Sequence, residues 1–553
     1  MSDNKKAADA AASASLQEEM DAVMRKYDRE SATRIWAGKP KIVISVVMAL
    51  FSVYCIWSTL FSTAALEIRL TAFLGLIVIM GYLTYPASKK HVHANRLPWY
   101  DIVIMVIGAA AFFYYCFNYS VLIKTLTSAA KMTPFLIAVG VAGILVLAEL
   151  CRRCVGLPIL VVVGALLVYT FVSMLNAGQT FQQVLSRVIY TLFFGTSGVL
   201  STPVQVCAKF IAVFIIFGGF LERTGIASFF IDAANAIAGW TSGGPAKVAV
   251  ISSALCGMVS GSSVGNTVTT GSFTIPMMKK TGYKPEFAGA VEAAASTGGQ
   301  IMPPIMGAAA FLMAEYIGIP YAKVAVKAIL PAILYFTGIF ISVHLEAKKL
   351  GLRGIPRDQL PKWGLLARDC YLILPLILLV WLVSSGAKTM SHSAAYSILA
   401  AIVVGLVNFF LTRMRDAEEK SAKTTVRAIG GALADSGRSA VDSLEAGAKG
   451  AITVAVACAM AGIIAGCITV TGLASILINA IVQLAGNATF IGLILTMICC
   501  IILGMGVPTT ANYCIMASTC APILIKMGYP LVAAHFFVFY FGIVADITPP
   551  VAL

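Results

Sequence analysis

Long apolar runs alternate with short polar stretches along most of the 553-residue chain. The runs are continuously apolar, whereas the strands of a transmembrane barrel alternate apolar and polar positions. Their lengths approach the ~20 residues that a helix needs to cross a bilayer. The pattern predicts an all-α polytopic membrane protein with spans at about 41–62, 68–86, 100–119, 133–151, 156–175, 204–221, 324–345, 369–385, 393–412 and 450–469.

Charged residues between the runs indicate the orientation of the chain. The chain is 59% hydrophobic and 12% charged, and its net charge is +15. Lysine and arginine concentrate in short connections such as 89–96 and 348–368, which is typical of cytoplasmic loops. We therefore expect residues 1–40 to form a cytoplasmic N-terminal segment without a cleavable signal peptide. We expect the protein to contact membrane lipid and not to bind nucleic acid. The 13 cysteines lie mostly in apolar runs and predict buried thiols rather than disulfides or a metal site.

Two kinds of interruption each occur twice between residue 257 and the end of the sequence. The first is a glycine- and hydroxyl-rich turn inside an apolar stretch, at 257–273 and again at 504–513. The second is a Pro-Pro pair, in "TGGQIMPPIMG" (297–307) and in "ADITPP" (545–550). A shift of 246 positions superimposes Asn266 on Asn512 and Pro303-Pro304 on Pro549-Pro550. The sequence therefore predicts an internal repeat, and the charges that flank the two copies predict that the copies are inverted in the membrane.

Interruptions inside membrane segments indicate a binding site. Non-helical backbone at that depth must be buried in protein or line a wet cavity, and paired prolines unwind a helix. Freed carbonyls together with Ser and Thr hydroxyls suit a hard cation. Inverted repeats with broken helices are typical of secondary transporters, whose sites lie at the breaks. We expect two re-entrant helical hairpins and two Pro-Pro broken helices around a site near the membrane midplane.

Two carboxylates lie inside apolar segments of this region. Glu292 and Asp546 are costly there, so both are candidates for proton coupling or for lining a substrate cavity. Asp546 occupies the position that Gln300 has in the first copy, which makes Gln300 a third candidate. A structural hydrogen-bond or ion-pair role is the alternative for both acids.

The glycines of the first turn allow a second interpretation. Gly257, Gly261 and Gly265 form a GxxxGxxxG ladder, which is typical of close helix packing. The hydroxyl-rich sequence around Asn266 and the related turn at Asn512 favour the hairpin instead. The sequence has no motif of a hydrolase, a metalloprotease or a P-loop ATPase, so we expect neither enzyme activity nor a cofactor.

The motifs at 257–304, with "GMGVPTTANY" (504–513) and "ADITPPVAL" (545–553), resemble the large membrane subunit of TRAP (tripartite ATP-independent periplasmic) transporters. The four preceding spans look like the small membrane subunit fused in front, and the fused arrangement with "VEAAASTGG" is most similar to the TAXI branch. The resemblance implies uptake of a solute across a bacterial inner membrane, a periplasmic substrate-binding protein as partner, and an ion gradient as the energy source. It also implies an elevator, in which a transport part carrying the hairpins slides against a scaffold.

Carried onto this sequence, the resemblance places ion-coordination candidates at the hairpin tips and broken helices. Because Glu292 and Asp546 stand where many sodium-coupled relatives have uncharged residues, Na⁺ and H⁺ both remain open as the coupling ion. The ion candidates are Ser260, Ser262, Ser263, Asn266, Thr267, Gly298, Gly299, Thr509, Thr510, Asn512 and Thr548, and the broken-helix positions are Pro303, Pro304, Pro549 and Pro550.

These features divide the chain and define the functional alternatives. We expect a small organic anion, a carboxylate above all, as substrate, and a monomer as the oligomeric state. The alternatives are a carboxylate symporter of another hairpin elevator family that needs no binding protein, and an uncoupled channel. The second copy stops soon after its prolines, which predicts that the native chain continues beyond Leu553. The expected parts are 1–40, the four-helix part 41–155, the first repeat with its helices 156–345, a cytoplasmic linker 346–368, scaffold helices with a cytoplasmic loop 369–449, and the second repeat 450–553.

Overall fold

The computed structural model describes residues 33–88, 94–416, 422–485, 489–505 and 507–548, and within these ranges the regular structure is entirely helical. The first helices are α1 (Gly38–Phe61), α2 (Leu66–Thr84), α3 (Trp99–Thr125), α4 (Pro134–Cys154), α5 (Leu157–Asn176), α6 (Phe181–Ile189) and α7 (Thr202–Arg223). Then follow α8 (Ile226–Ala238), α9 (Gly244–Ser260), α10 (Ser263–Lys280), α11 (Pro285–Gly298), α12 (Gly307–Ile317), α13 (Tyr321–Lys349), α14 (Trp363–Asp369) and α15 (Leu374–Ser385). The last are α16 (Met390–Asp416), α17 (Ala422–Thr471), α18 (Leu473–Ala485), α19 (Thr489–Gly504), α20 (Thr509–Thr519), α21 (Ala521–Lys526) and α22 (Leu531–Ala545).

Among the described residues, ten helical segments are long and apolar enough to cross a membrane. They are α1 to α5, α7, α13, the segment Arg357–Ser385 that contains α14 and α15, α16 and α17. Each overlaps one of the ten apolar runs of the sequence. The prediction of a polytopic all-α membrane protein is therefore confirmed.

Helix boundaries follow local signals in the sequence. For example, α4 begins where the Thr133 hydroxyl accepts a hydrogen bond from the Leu136 N–H at 3.3 Å, and Pro134 fills the first helical position. Such a cap satisfies one of the N–H groups that a helix start leaves without an intrahelical partner. Pro at the first position costs nothing, because its missing N–H would have no partner there.

Helix α17 lies at the centre of the bundle and is the most deeply buried of the ten spans. It packs against α1, α5, α7, α16 and α20. Its 50 residues extend over ~75 Å, more than twice the thickness of a bilayer core. The structure differs here from the expected loop at 413–449, since residues from 422 onward are helical. That stretch is rich in alanine and has no proline, so nothing in it stops the helix.

A buried ion-pair cluster joins the residues before α1 to α3 and α4. Asp101 in the first turn of α3 pairs with Arg34 and also with Arg153, whose guanidinium lies 2.7 Å from the carboxylate. All three side chains are almost fully buried. Glu149 also pairs with Arg153, at 2.8 Å. These ion pairs connect the chain before α1 to the first turn of α3 and the last turn of α4.

The glycine- and hydroxyl-rich interruptions are breaks between helices. In the first copy, only Gly261 and Ser262 separate α9 from α10, and the two helices pack against each other as a hairpin. In the second copy, α19 ends at Gly504 and α20 begins at Thr509, and these helices also pack together.

The proline-rich breaks are described in the first copy and in part of the second. Helix α11 ends at Gly298, and α12 starts at Gly307, beyond Pro303-Pro304. In the second copy α22 ends at Ala545 and a turn follows through Thr548. Pro549 and Pro550 lie outside the described residues.

Candidate functional site

The tip of the first hairpin is built on glycine. Gly261 has φ +63°, a conformation that a side chain disfavours, and a Cβ there would lie 2.6 Å from the Gly307 Cα. One turn earlier, a Cβ on Gly257 would lie 2.4 Å from the Gly299 Cα. Next to the tip, the Ser262 hydroxyl caps α10 by accepting from the Gly265 N–H at 3.2 Å. Two glycines of the ladder therefore bring the hairpin into backbone contact with the broken helix, so the packing and hairpin interpretations both hold.

Asn266 lies where these backbones meet. Its side chain is fully buried, and Nδ2 donates to the Ser253 carbonyl at 2.8 Å. The amide is close to both Gly257 and Gly299, since a Cβ on either would approach Nδ2 to about 3 Å. Its Oδ1 has no hydrogen-bond partner among the described residues. Asn266 thus presents a buried oxygen at the junction of hairpin and broken helix.

Asn512 has the same arrangement in the second copy. It is also fully buried, its Nδ2 donates to the Gly542 carbonyl at 2.9 Å, and its Oδ1 is likewise without a partner in the described part of the chain. A Cβ on Gly504 would meet this side chain at 2.5 Å and the Ala545 Cβ at 2.7 Å. In both copies, therefore, a hairpin glycine and a residue of the following broken helix enclose an asparagine amide.

Asp546 and Gln300 meet in space. The Thr509 hydroxyl donates to the Asp546 carboxylate at 3.2 Å, and Gln300 lies close enough to interact with the same carboxylate. Both side chains are buried, and Gln300 Oε1 has no partner in the described ranges. Residues that occupy matching positions in the two copies thus form one polar contact.

Glu292 lies inside the first-repeat helices and is fully buried. Four hydroxyls surround its carboxylate, those of Ser253 at 2.7 Å, Thr274 at 2.5 Å, Ser296 at 3.1 Å and Thr270. Glu292 has no ion pair with another described residue. Its carboxyl group is therefore held by neutral hydrogen-bond donors alone.

The two hairpins share one cavity of about 210 Å³. Ser260, Gly261 and Ser262 line it from the first tip, and Thr510 lines it from the second. Helix α7 contributes Glu222, and no lysine or arginine is among the described lining residues. Positions that are about 250 apart in sequence therefore meet at one opening.

Two of the predicted ion-coordination candidates use their hydroxyl groups in local hydrogen bonds. Thr267 donates to the Ser263 carbonyl within α10 at 2.8 Å, and Thr548, in the turn after α22, donates to the Val544 carbonyl of that helix at 2.7 Å. The sequence prediction missed Glu222 and the hydroxyls around Glu292. Two of the hydroxyls around Glu292 could have been found from the sequence, because Thr270 and Thr274 are four residues apart and therefore share one helix face.

Ten apolar spans among the described residues define a polytopic membrane protein. Helical hairpins and a broken helix that meet at a shared cavity are typical of secondary transporters. Residues 141–553 match the family described as the tripartite ATP-independent periplasmic transporter, DctM component. The chain belongs to this family of transporter permeases. The match begins within α4, and the region before residue 141 lies outside it.

The chain is also similar to curated permeases of this type. It is 28% identical over 204 residues to the C4-dicarboxylate TRAP transporter large permease DctM of Pseudomonas aeruginosa, covering 37% of this chain and 47% of that one. It is 25% identical over 254 residues to the isethionate TRAP transporter permease DctMQ of Oleidesulfovibrio alaskensis (45% and 38%). It is 23% identical over 195 residues to the sialic acid TRAP transporter large permease SiaM of Vibrio cholerae (35% and 45%). The chain thus spans about half, or less, of the length of these relatives.

Proposed function

We propose that the protein imports a small organic acid across a bacterial inner membrane, driven by an ion gradient and supplied by a periplasmic substrate-binding protein. Family membership supports the transporter class. The names of the relatives, which specify C4-dicarboxylates, isethionate and sialic acid, support an acidic substrate. A fused small subunit at 41–155, most of which precedes the family match, and the TAXI branch are part of the same proposal.

One observation supports the proposal that transport is coupled to an ion. Four buried side-chain oxygens at the hairpins and at the Pro-Pro break have no hydrogen-bond partner among the described residues. A buried acceptor without a partner costs about 1–3 kcal/mol. A bound cation would remove that cost, because hard cations prefer oxygen ligands. These atoms are Ser260 Oγ, Asn266 Oδ1, Gln300 Oε1 and Asn512 Oδ1.

The charge of the cavity supports cotransport of cations. Glu222 is the only charged residue among its described lining. An organic anion entering this space meets a carboxylate instead of a basic side chain, and like charges repel each other. Cotransported Na⁺ or H⁺ would compensate this repulsion, so symport fits the cavity better than passage of the anion alone.

Protons are the second candidate, and Glu292 favours them. Thr270 and Thr274 each lie close both to the Glu292 carboxyl and to the carbonyl four residues earlier in their own helix, at 2.8 and 3.0 Å. Their hydroxyl protons can therefore turn toward an ionised carboxylate or away from a protonated one. The site can hold Glu292 in either state without leaving a buried group unpaired.

We further propose that the two copies are inverted repeats and that the hairpins belong to a transport part that moves as an elevator. The matched environments of Asn266 and Asn512 support the repeat. The contact between Asp546 and Gln300 supports a site between the copies.

Uptake into proteoliposomes tests this function. The full-length protein and its binding protein are assayed with a Na⁺ gradient or a pH gradient imposed separately. If Na⁺ couples, Asn266→Ala and Asn512→Ala should weaken the Na⁺ dependence, whereas Thr548→Val, whose hydroxyl binds its own helix, should match the wild type. If H⁺ couples, Glu292→Gln should abolish the dependence on pH gradient.

Three outcomes would contradict the proposal. Accumulation without the binding protein would indicate a symporter of another family. Flux that never exceeds equilibrium would indicate a channel. Uptake at the same rate with and without the Na⁺ gradient and the pH gradient would exclude coupling to Na⁺ and to H⁺.

A further inference from the structure

A second polar cavity lies away from the hairpins, between the four-helix part and the region that matches the permease family. Its volume is about 220 Å³. Helices α1 and α2 form one wall with Tyr54, Ser58 and Arg69, and α7 and α12 form the other with Lys209 and Glu315. The cavity therefore spans two parts of the chain, only one of which belongs to the family match.

Its charged residues have no ionic partners in the described part of the chain. None of Arg69, Lys209 and Glu315 forms an ion pair there. The Nε atom of Arg69 is buried and also lacks a hydrogen-bond partner. Glu67, two positions away, is hydrogen-bonded instead to Tyr119 at 3.0 Å. The cavity thus offers two cationic groups and one anionic group to a ligand.

The cavity lies near the ends of three of the helices that line it, α1, α2 and α12. Ser58 is in the last turn of α1, Arg69 in the first turn of α2, and Glu315 in the last turn of α12. A helical turn is ~5.4 Å, so these groups lie within about one turn of the helix ends. On α1, Trp57 precedes the cavity-lining Ser58 and is 53% exposed. Exposed tryptophan is typical of the boundary between lipid tails and head groups.

We propose that this cavity binds the head group of a zwitterionic phospholipid, with its phosphate on Arg69 and Lys209 and its ammonium on Glu315. Arginine and lysine are the usual phosphate partners. A carboxylate in the same cavity favours a head group that carries its own positive charge and disfavours a purely anionic one. The lipid would bridge the four-helix part and the permease part, a role independent of the transport proposed above.

Native mass spectrometry of the full-length protein in detergent tests this site. After delipidation, phosphatidylethanolamine, phosphatidylglycerol, phosphoethanolamine or inorganic phosphate is added. We expect the wild type to retain one phosphatidylethanolamine in preference to the other three. Arg69→Gln with Lys209→Gln should lower that retention about tenfold, the loss expected for a charge-assisted contact.

Glu315→Gln gives the sharper test, because it should change selectivity without abolishing binding. Its preference for phosphatidylethanolamine over phosphatidylglycerol should fall about tenfold while total lipid retention persists. Lys124→Gln, an exposed residue in the last turn of α3, is the matched control and should behave as wild type. Monodisperse elution in size-exclusion chromatography verifies folding of each variant.

Two results would overturn the proposal. If free phosphate or phosphoethanolamine binds as well as the lipid, the cavity is a site for soluble anions. If the Glu315 and Lys124 variants have the same lipid preference, Glu315 does not recognise an ammonium group. Neither readout depends on transport, so failure here is distinguishable from failure of the proposed function.

Discussion

Replacing Gly261 by alanine tests the geometry of the first hairpin. Alanine would have to adopt the φ of +63° that the turn requires at this position, which costs a residue with a Cβ roughly 1–2 kcal/mol. Its Cβ would also lie 2.6 Å from the Gly307 Cα, and such overpacking costs about 1–3 kcal/mol. The expected destabilisation is therefore about 2–5 kcal/mol. Gly265→Ala is the matched control, because its nearest neighbour would be 3.5 Å away and alanine favours a helix over glycine by roughly 0.5–1 kcal/mol.

Thermal unfolding of the two purified variants in one detergent measures the difference. Gly261→Ala should lower the apparent unfolding temperature, and Gly265→Ala should leave it unchanged or raise it. Substrate binding by the folded fraction shows whether the tip itself is altered. Equal shifts in the two variants would refute the reasoning, because the ladder would then act as a uniform packing surface and the left-handed turn at Gly261 would carry no strain.

Three further changes give distinct results. Asp101→Asn should destabilise the protein by about 3–5 kcal/mol because it removes the buried carboxylate that Arg34 and Arg153 share, while Asp442→Asn, in an exposed pair, should cost less than about 1 kcal/mol; denaturation of both variants checks this. Tyr513→Phe should cost about 1–3 kcal/mol, because it removes the hydroxyl 2.7 Å from the buried Nδ1 of His535, and thermal unfolding measures it. Glu292→Gln should preserve folding, as shown by size-exclusion chromatography, since the amide keeps the shape of the acid and can still accept from the surrounding hydroxyls.

Much of the membrane architecture was predictable from the pattern of apolar residues. Every predicted span corresponds to a helix, because about 20 apolar residues in lipid must satisfy their own backbone hydrogen bonds. The break at Gly261 was equally predictable, and so was the one before Thr509, since glycine, proline and hydroxyl residues interrupt an apolar run there. The structure of the stretch 413–449, where a loop is expected, was not predictable in this way. Helix α17 occupies this stretch from Ala422 onward because of helix propensity and packing, which hydrophobic periodicity does not reveal.

The spans, the positions of the breaks and the family could all be predicted from the amino-acid sequence, because they depend on local composition and on motifs along the chain. Which polar atoms meet depends on the three-dimensional packing of the helices. It places Gln300 beside Asp546, surrounds Glu292 with four hydroxyls and leaves the oxygens of Asn266 and Asn512 without partners. The physical reason is that a hydrogen bond or a cavity depends on the distance between side chains from separate helices. That distance is set by packing of the whole bundle and not by any one segment.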